Sequence, residues 1–429
     1  MSVAAPRSIL RLAGSDTEVV IVGGGAAGIA AGRRLTDAQI DCLIIDARPR
    51  LGGRAWTIDH GSACPIDLGC WLHSADRNPW AEIAKAQGRT IDKTPPPWMR
   101  LSTPIGFPLA EQKAFLEALR AFHERFNALA EPAPDVTAAN LLEPSDQWNN
   151  LINAVSTYVS GAELDRVSVR DFSRYEDTGV NWRVVEGYRT VVAAHAAGVP
   201  FALGCAARRI DHGARRLRVE TSNGAITADA VIVTLPSNVI AEETLVFTPA
   251  LPEKVEAAAG LPLGLADKLF LALSDADEFE KDSRLFGRTD RSATGVYHFR
   301  PFGRPQIEAY FGGAFAAELE KAGRAAFLEC ATAELVGLLG SDFARRLNAV
   351  GLHRWGVDPF SRGSYSYARP GKAECRRALA APVDDRLFFA GEACSLGHFS
   401  TAHGAYLTGV AAADQVAAAR TQKRAGSYS

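Results

Sequence analysis

Apolar residues fall along this chain in several rhythms, each predicting a different element. Val19-Val-Ile-Val22 and Leu43-Ile-Ile45 are short, unbroken and largely β-branched. Runs of that length between polar or glycine boundaries predict strands buried on both faces of a parallel sheet. Val231-Ile-Val-Thr-Leu235, closed by Pro236, and Leu387-Phe-Phe389 read the same way. Ala206–Ile210, Leu217–Thr221 and Ala225–Ala228 predict short strands, with Asn223-Gly224 as a tight turn between two of them. Phe115, Leu116, Leu119, Phe122, Phe126 and Leu129 recur at helical spacing across 110–130. A further helix is predicted over 145–161, where Tyr158 reads as a core residue. Leu269-Phe-Leu271 and Ile307-Glu-Ala-Tyr310 lie in a third region. It is followed by an Ala- and Leu-rich helix over about 316–340. A glycine-spaced helix closes the chain through residue 418. Prolines at 95–97, 104 and 108 mark a crossing between domains, and no internal repeat occurs.

Between the first two strands lies Gly23-Gly-Gly25-Ala-Ala-Gly28. Gly23, Gly25 and Gly28 fill the G-x-G-x-x-G spacing at a strand-to-helix turn. The first allows the turn, the second lets a pyrophosphate approach the backbone, and the third lets helix and strand pack closely. The phosphates would meet the positive N-terminus of the helix. Asp46 ends the second strand about 20 residues on, where an acid accepts ribose hydroxyls. With its whole βαβ context present, the pattern predicts dinucleotide binding. Asp46 is then followed by Ala47-Arg-Pro-Arg-Leu-Gly52-Gly53-Arg54. This segment resembles the D/E-x5-G-G-R motif of flavoproteins, which continues along the FAD phosphates and ribityl chain. A backbone nest at Gly52-Gly53 can present N–H groups to phosphate, and Arg54 adds charge. FAD is therefore expected over NAD.

Length and composition narrow the rest. At 429 residues the chain has room for two or three domain-sized units. It is 47% hydrophobic and 22% charged, with a net charge of −2, so nothing favours nucleic acid or an anionic membrane as partner. Arg208-Arg209 and Arg215-Arg216 read as solvated turns. The seven cysteines, Cys42, Cys64, Cys70, Cys205, Cys330, Cys375 and Cys394, are odd in number, scattered and without a C-x-x-C. That speaks against a disulfide framework or zinc site and for a reducing, cytoplasmic setting. The first 17 residues lack the apolar core of a signal peptide, and no run of about 18 apolar residues predicts a membrane span. G-x-S-x-G, P-loop and H-E-x-x-H patterns are absent, which removes hydrolase and phosphoryl-transfer readings. His73, His298, His398 and His403 stand in no metal-like spacing and read as structural, so no metal is expected.

Near the C-terminus, Phe389-Ala-Gly391-Glu392 followed by His403-Gly-Ala405 and Gly409 resembles the flavin-containing amine oxidase family, which includes monoamine and polyamine oxidases. The resemblance runs in order through the 23–28 glycines, the 46–54 segment, Asp67-Leu-Gly69, Gly187-Tyr188, the 205–236 strands, Lys268, Trp355 and the 389–409 segment. It implies an α/β fold with a discontinuous Rossmann-like FAD-binding domain (16–75, 185–262 and 350–420) and an inserted α+β substrate domain (76–184 and 263–349). It also implies a cofactor-binding set of Gly23, Gly25, Ala27, Gly28, Asp46, Ala47, Arg48, Gly53, Arg54, Gly69, Cys70, Trp71, Ala207, Trp355, Gly391, Glu392 and Ala402.

Three further residues are implied to act on the reaction. In the family, a lysine placed like Lys268 holds a water near flavin N5. Poor solvation there can lower its pKa. On the residues alone, a lysine beside Asp267 is more often a surface residue. Tyr365 matches one wall of an aromatic cage around the substrate amine, whereas the opposite wall falls at Thr401, which has no ring. An incomplete cage weakens cation–π preorganisation, and Phe399 or a ring from the insertions is the expected substitute. Ser364 stands where covalently flavinylated members carry cysteine. Serine cannot form the thioether, so FAD should be non-covalent. The implied activity is hydride transfer from an amine C–N unit to flavin N5, with reoxidation by O2 to hydrogen peroxide. The alternatives are a desaturase or isomerase acting on a C–C bond of an apolar substrate, and a flavin-binding interaction protein without turnover. Substrate identity is not legible, and the reading leaves room for a homo-oligomer.

Overall fold

In the computed structural model, which describes residues 15–58, 65–69, 71–128 and 134–426, two sheets carry the chain. The first is built on the parallel strands Ser15–Val22, Cys42–Ile45, Phe201–Ala202 and Leu387–Phe389, together with the long strand Gly224–Val233. Val19–Val22 run between Cys42–Ile45 on one side and Ala230–Val233 on the other. Alternation sorts their side chains. Val19, Ile21, Ile44, Ile232 and Phe388 pack under the helices Ala26–Asp37 and Ala402–Gly426. Val20, Val22, Leu43, Ile45, Val231, Val233 and Phe389 face the opposite layer. The predicted strands at 225–228 and 231–235 form one continuous strand. Its first half pairs antiparallel with Leu217–Thr221 through the turn at Asn223-Gly224, and its second half pairs in parallel with Leu387–Phe389. Asp229 is exposed between the halves, and its polarity broke the apolar run without breaking the strand.

The second sheet is antiparallel, with strands in the order Ser283–Phe286, Val296–Phe299, Gln306–Gly312, Ala266–Leu273 and Leu347–Leu352. Leu269, Leu271, Leu285, Tyr297, Phe299, Ile307, Ala309 and Phe311 point into a core closed by the helices Gly313–Ala322 and Arg324–Leu339. The residues between them, Lys268, Arg284, Phe286, Val296, His298, Glu308 and Tyr310, turn to the other face and line a cavity. The single helix predicted over 316–340 is two helices, because Gly323 sits at φ 105°, in the left-handed region that suits glycine and ends a helix.

The predicted helix over 110–130 is present as Leu109–Ala128, and that over 145–161 as Asn149–Val159. Their apolar faces meet in a separate cluster with Phe107, Trp148 and Phe286. Leu129 lies outside the described residues. Helix Pro79–Ala86, expected with the substrate segments, packs with the helices Tyr188–Ala194 and Ala402–Gly426 in the core cluster that one face of the parallel sheet shares. Trp80 is fully buried there, edge-on to Tyr188 and Tyr406, and its Nε1 donates to the Ala402 carbonyl at 3.0 Å. No helix among the described residues is long and apolar enough to cross a membrane.

Candidate active site

One continuous cavity of about 900 Å³ runs from the first glycine turn to the aromatic face of the antiparallel sheet. That volume lies at the upper end of the range for small-molecule sites. One end is a cradle for a dinucleotide. Gly23, Gly25 and Ala27 line it at the start of helix Ala26–Asp37, where first-turn N–H groups have no intrahelical acceptor. A Cβ on Gly28 would lie 1.8 Å from the Gly23 carbonyl oxygen, so only glycine lets the helix start so close to the turn. Asp46 is buried and also lines the cavity. Its Oδ2 accepts from Gly24 N at 2.6 Å and its Oδ1 from Arg48 N at 2.7 Å. Burial raises its pKa, and those two N–H groups oppose the shift. Each oxygen retains a lone pair for a ribose hydroxyl.

Several residues expected at the cofactor are held by other protein groups. The Arg48 side chain pairs with Asp358 at 2.8 Å, donates to Ser361 Oγ at 2.8 Å and lies over Phe360. It therefore pins the 358–361 loop to the cavity edge and is not free to carry phosphate charge alone. Arg54 Nη1 donates to Glu392 Oε1 and to the Ser364 carbonyl, at 2.8 and 2.9 Å. Glu392 Oε2 accepts from Ser366 Oγ at 2.6 Å and Ser400 N at 2.9 Å. Burial pushes the Glu392 pKa up, but Arg54, Ser366 and Arg376 outweigh it and hold the carboxyl ionised. Glu392 thus ties Arg54, the 364–366 segment and the 400 turn together. Gly391, at φ 139°, has open space where a side chain would project, and it lines the cavity. Ala47, Gly53, Gly69, Trp71, Ala207, Trp355 and Ala402 also line it. Cys70 lies outside the described residues. The glycine cradle, the half-used Asp46 carboxylate and the helix N-terminus together fit a dinucleotide cofactor.

At the other end, Lys268 is buried in the wall. Its Nζ sits 2.8 Å from Glu308 Oε1 and 3.5 Å from the Asp67 carbonyl, with Tyr310 below it. Burial works to lower its pKa, yet Glu308 and its hydrogen bond win and raise it well above the ordinary lysine value. This corrects the expected lowered pKa: Lys268 is a fixed cation. It is also not a surface partner of Asp267, which is fully buried and accepts from Trp355 N at 3.2 Å. Behind Glu308, His298 Nε2 meets Asp282 Oδ1 at 3.0 Å, and Arg183 meets the same oxygen at 2.8 Å.

The Tyr365 hydroxyl lies 3.0 Å from that of Tyr310 and donates to the Tyr158 carbonyl. Tyr158, read as core, also lines the cavity. Its ring is edge-on to Tyr310 at 5.8 Å. Thr401 lines the wall, but its hydroxyl accepts from Gly404 N at 2.9 Å and donates to the His398 carbonyl at 2.6 Å. It caps the last helix and offers no ring or free hydroxyl to a substrate. Phe399 and Tyr175 stand edge-on to each other in the same wall, 5.2 Å apart. Ser364 Oγ bridges the backbone of Ala266, accepting from its N at 2.9 Å and donating to its carbonyl at 3.0 Å. Glu308 and Tyr310 were missed as site residues. Their signal was present: polar groups at alternate positions of an apolar strand mark a face turned away from the core.

A model of the flavin containing amine oxidoreductases matches residues 109–417, and a model of NAD(P)-binding Rossmann-like domains matches residues 21–85. Polyamine oxidase 4 of Oryza sativa subsp. japonica is 28% identical over 95% of this chain and 90% of its own length. Polyamine oxidase 2 of Arabidopsis thaliana is 30% identical over 94% and 89%. The structure of cyclohexylamine oxidase from Brevibacterium oxydans IH-35A superposes with a TM-score of 0.74 at 20% identity, covering 95% of this chain and all of that one.

Proposed function

The chain belongs to the flavin-containing amine oxidoreductase family, and from that premise we propose that it oxidises an amine held between Tyr365 and the Lys268–Glu308 pair. The observation that carries the reading is the single cavity joining the dinucleotide cradle to a buried lysine and an aromatic wall. Bound FAD supplies the redox chemistry, taking a hydride equivalent from the carbon beside the amine nitrogen and passing electrons to O2.

The protein's part is binding, orientation and charge. Asp46 accepts from the ribose, and the first turn of helix Ala26–Asp37 faces the phosphates. Arg54, oriented by Glu392, contributes positive charge beside the cofactor. Gly391 lets the cofactor chain pass close to the backbone. Trp355 and Trp71 pack at the cavity wall, and Ser364 leaves the cofactor non-covalent. Lys268, kept protonated by Glu308, stabilises negative charge that develops at the reacting centre and can hold a water by its remaining N–H. Tyr365, Tyr310 and Tyr158 exclude water and set the approach of the neutral amine. We assign the substrate-binding part to the antiparallel sheet and the helices at 109–128 and 149–159. Cys42, Cys205, Cys330, Cys375 and Cys394 are free thiols, which supports a reducing setting.

The test is anaerobic reduction of the yellow protein by a panel of amines, followed by admission of air. The expected result is bleaching by at least one amine, then recovery with stoichiometric peroxide. A flavin that no amine bleaches would sink the reading.

A further inference from the structure

One charged side chain on the cavity face of the antiparallel sheet has no part in the proposed function: Arg284, on strand Ser283–Phe286. Its Nε donates to Ser102 Oγ at 2.9 Å, and its guanidinium carbon lies 4.7 Å from the centre of the Phe286 ring. Among the described residues, no carboxylate pairs with it and no protein acceptor takes either terminal nitrogen. Phe115, Leu119, Tyr158, Phe286 and Val296, members of one apolar cluster, line the same cavity. Burial without a counter-charge pushes its pKa down to about 10, so it stays cationic at neutral pH. An unpaired guanidinium in an apolar wall is costly. Its four terminal N–H donors form a planar fork that suits a carboxylate.

The rest of that end supports the same reading. Among the described residues, two carboxylates, Glu308 and Asp177, reach the substrate side of the cavity. Glu308 is neutralised by Lys268. Asp177 is exposed, and its Oδ1 already accepts from Ser74 Oγ and Gly179 N. A second ammonium brought up to Arg284 would meet an uncompensated cation, because Glu308 is taken by Lys268 and Asp177 is exposed and held by Ser74 and Gly179. Arg284 lies beyond Tyr158, which itself stands edge-on to Tyr310 beside Lys268. An anion bound there is separated from the reacting carbon by a stretch of aromatic and aliphatic wall.

We propose that Arg284 is the anion-recognising end of the substrate cavity, and that the amine oxidised here carries a carboxylate on the far end of an apolar spacer. The amine half of this rests on the function proposed above; the carboxylate site does not.

The test separates the two. The FAD-loaded protein is titrated calorimetrically with hexanoate and with hexanamide, which match in shape and lack an amine. Hexanoate should bind at least about tenfold more tightly, an advantage that Arg284→Gln removes and Arg284→Lys partly keeps. Turnover is then compared for 6-aminohexanoate, hexylamine and 1,6-diaminohexane. The ratio of kcat/KM for 6-aminohexanoate over hexylamine should exceed about ten and fall at least tenfold in Arg284→Gln. Equal binding of hexanoate and hexanamide by the unmodified protein would overturn the proposal without recourse to any variant. So would a preference for the diamine that Asp177→Asn abolishes. Arg284-dependent hexanoate binding with no amine able to reduce the flavin would leave the carboxylate site standing and remove the amine-oxidase reading.

Discussion

Lys268 and Glu308 are diagonal neighbours on adjacent antiparallel strands: Lys268 is in register with Tyr310, Glu308 with Phe270, and the two charges meet at 2.8 Å on the cavity face. The lysine is therefore built into the sheet as a permanent cation, with its counter-ion supplied from 40 residues away. Its raised pKa contributes stability that is fully present below the unfolded value near 10.4 and is lost only as pH rises through the folded one. Burial works to raise the Glu308 pKa, but Lys268 and then His298 lower it on balance. Glu308 therefore contributes stability that is present above about pH 4.3 and lost as pH falls below it.

Glu308→Gln should expose this arrangement. Removing one partner of a buried pair leaves the other uncompensated, at a cost of about 3–5 kcal/mol. Lys268 would then keep only Tyr310 and Asp67 against the effect of burial, and its pKa would fall. Turnover by the variant should decline as pH rises through the lowered Lys268 pKa, whereas the unmodified protein holds Lys268 charged there. Urea denaturation and a pH–rate profile check both parts; an unchanged profile removes Glu308 from the role.

Lys268→Met keeps length and most of the volume while removing charge and donors. The variant should fold, retain FAD, and carry out one of the two half-reactions at least about tenfold more slowly, roughly 1.4 kcal/mol in barrier. Stopped-flow measurement of reduction and reoxidation separately decides it. Unchanged rates in both would place Lys268 outside the chemistry.

Asp46→Ala should weaken FAD retention by about tenfold or more. A carboxylate's charge-assisted hydrogen bonds are worth roughly 1.5–3 kcal/mol each, and the Gly24 and Arg48 N–H groups would lose their acceptor as well. Asp46→Asn, which keeps one acceptor oxygen, should fall between the two. Equilibrium dialysis with flavin fluorescence measures the affinities.

Acid precipitation should leave all flavin in the supernatant, because Ser364 offers no thiol and its hydroxyl is already committed to the Ala266 backbone on both sides. Flavin retained in the washed pellet would show a covalent link and overturn the non-covalent assignment.

Local physics made the dinucleotide end legible. A strand, a turn that only glycine permits, a helix and an acid at the end of the next strand lie within about 30 residues, so Gly23, Gly25, Gly28 and Asp46 could be placed without knowing anything distant. The family resemblance carried Lys268, Tyr365 and Glu392 to the same cavity. Long-range pairing decided what those residues do. Arg48 lines the cavity, and its charge is paired with Asp358, 310 positions away. Glu392 is an anchor for Arg54, Ser366 and Ser400, groups brought together from three segments. The charge state of Lys268 depends on Glu308, and Tyr158, Tyr175 and Tyr310 from the insertions line the same cavity as Thr401, which has no ring. Arg284 illustrates the limit most clearly. Nothing in Ser283-Arg-Leu-Phe286 distinguishes it from a surface arginine, because what matters is the absence of a partner in the folded wall. A sequence by itself determines which groups are present and which local turns and periodicities they allow. Which of them are desolvated, paired or left uncompensated depends on contacts between distant segments, and that is settled only when the sheets and helices close around the cavity.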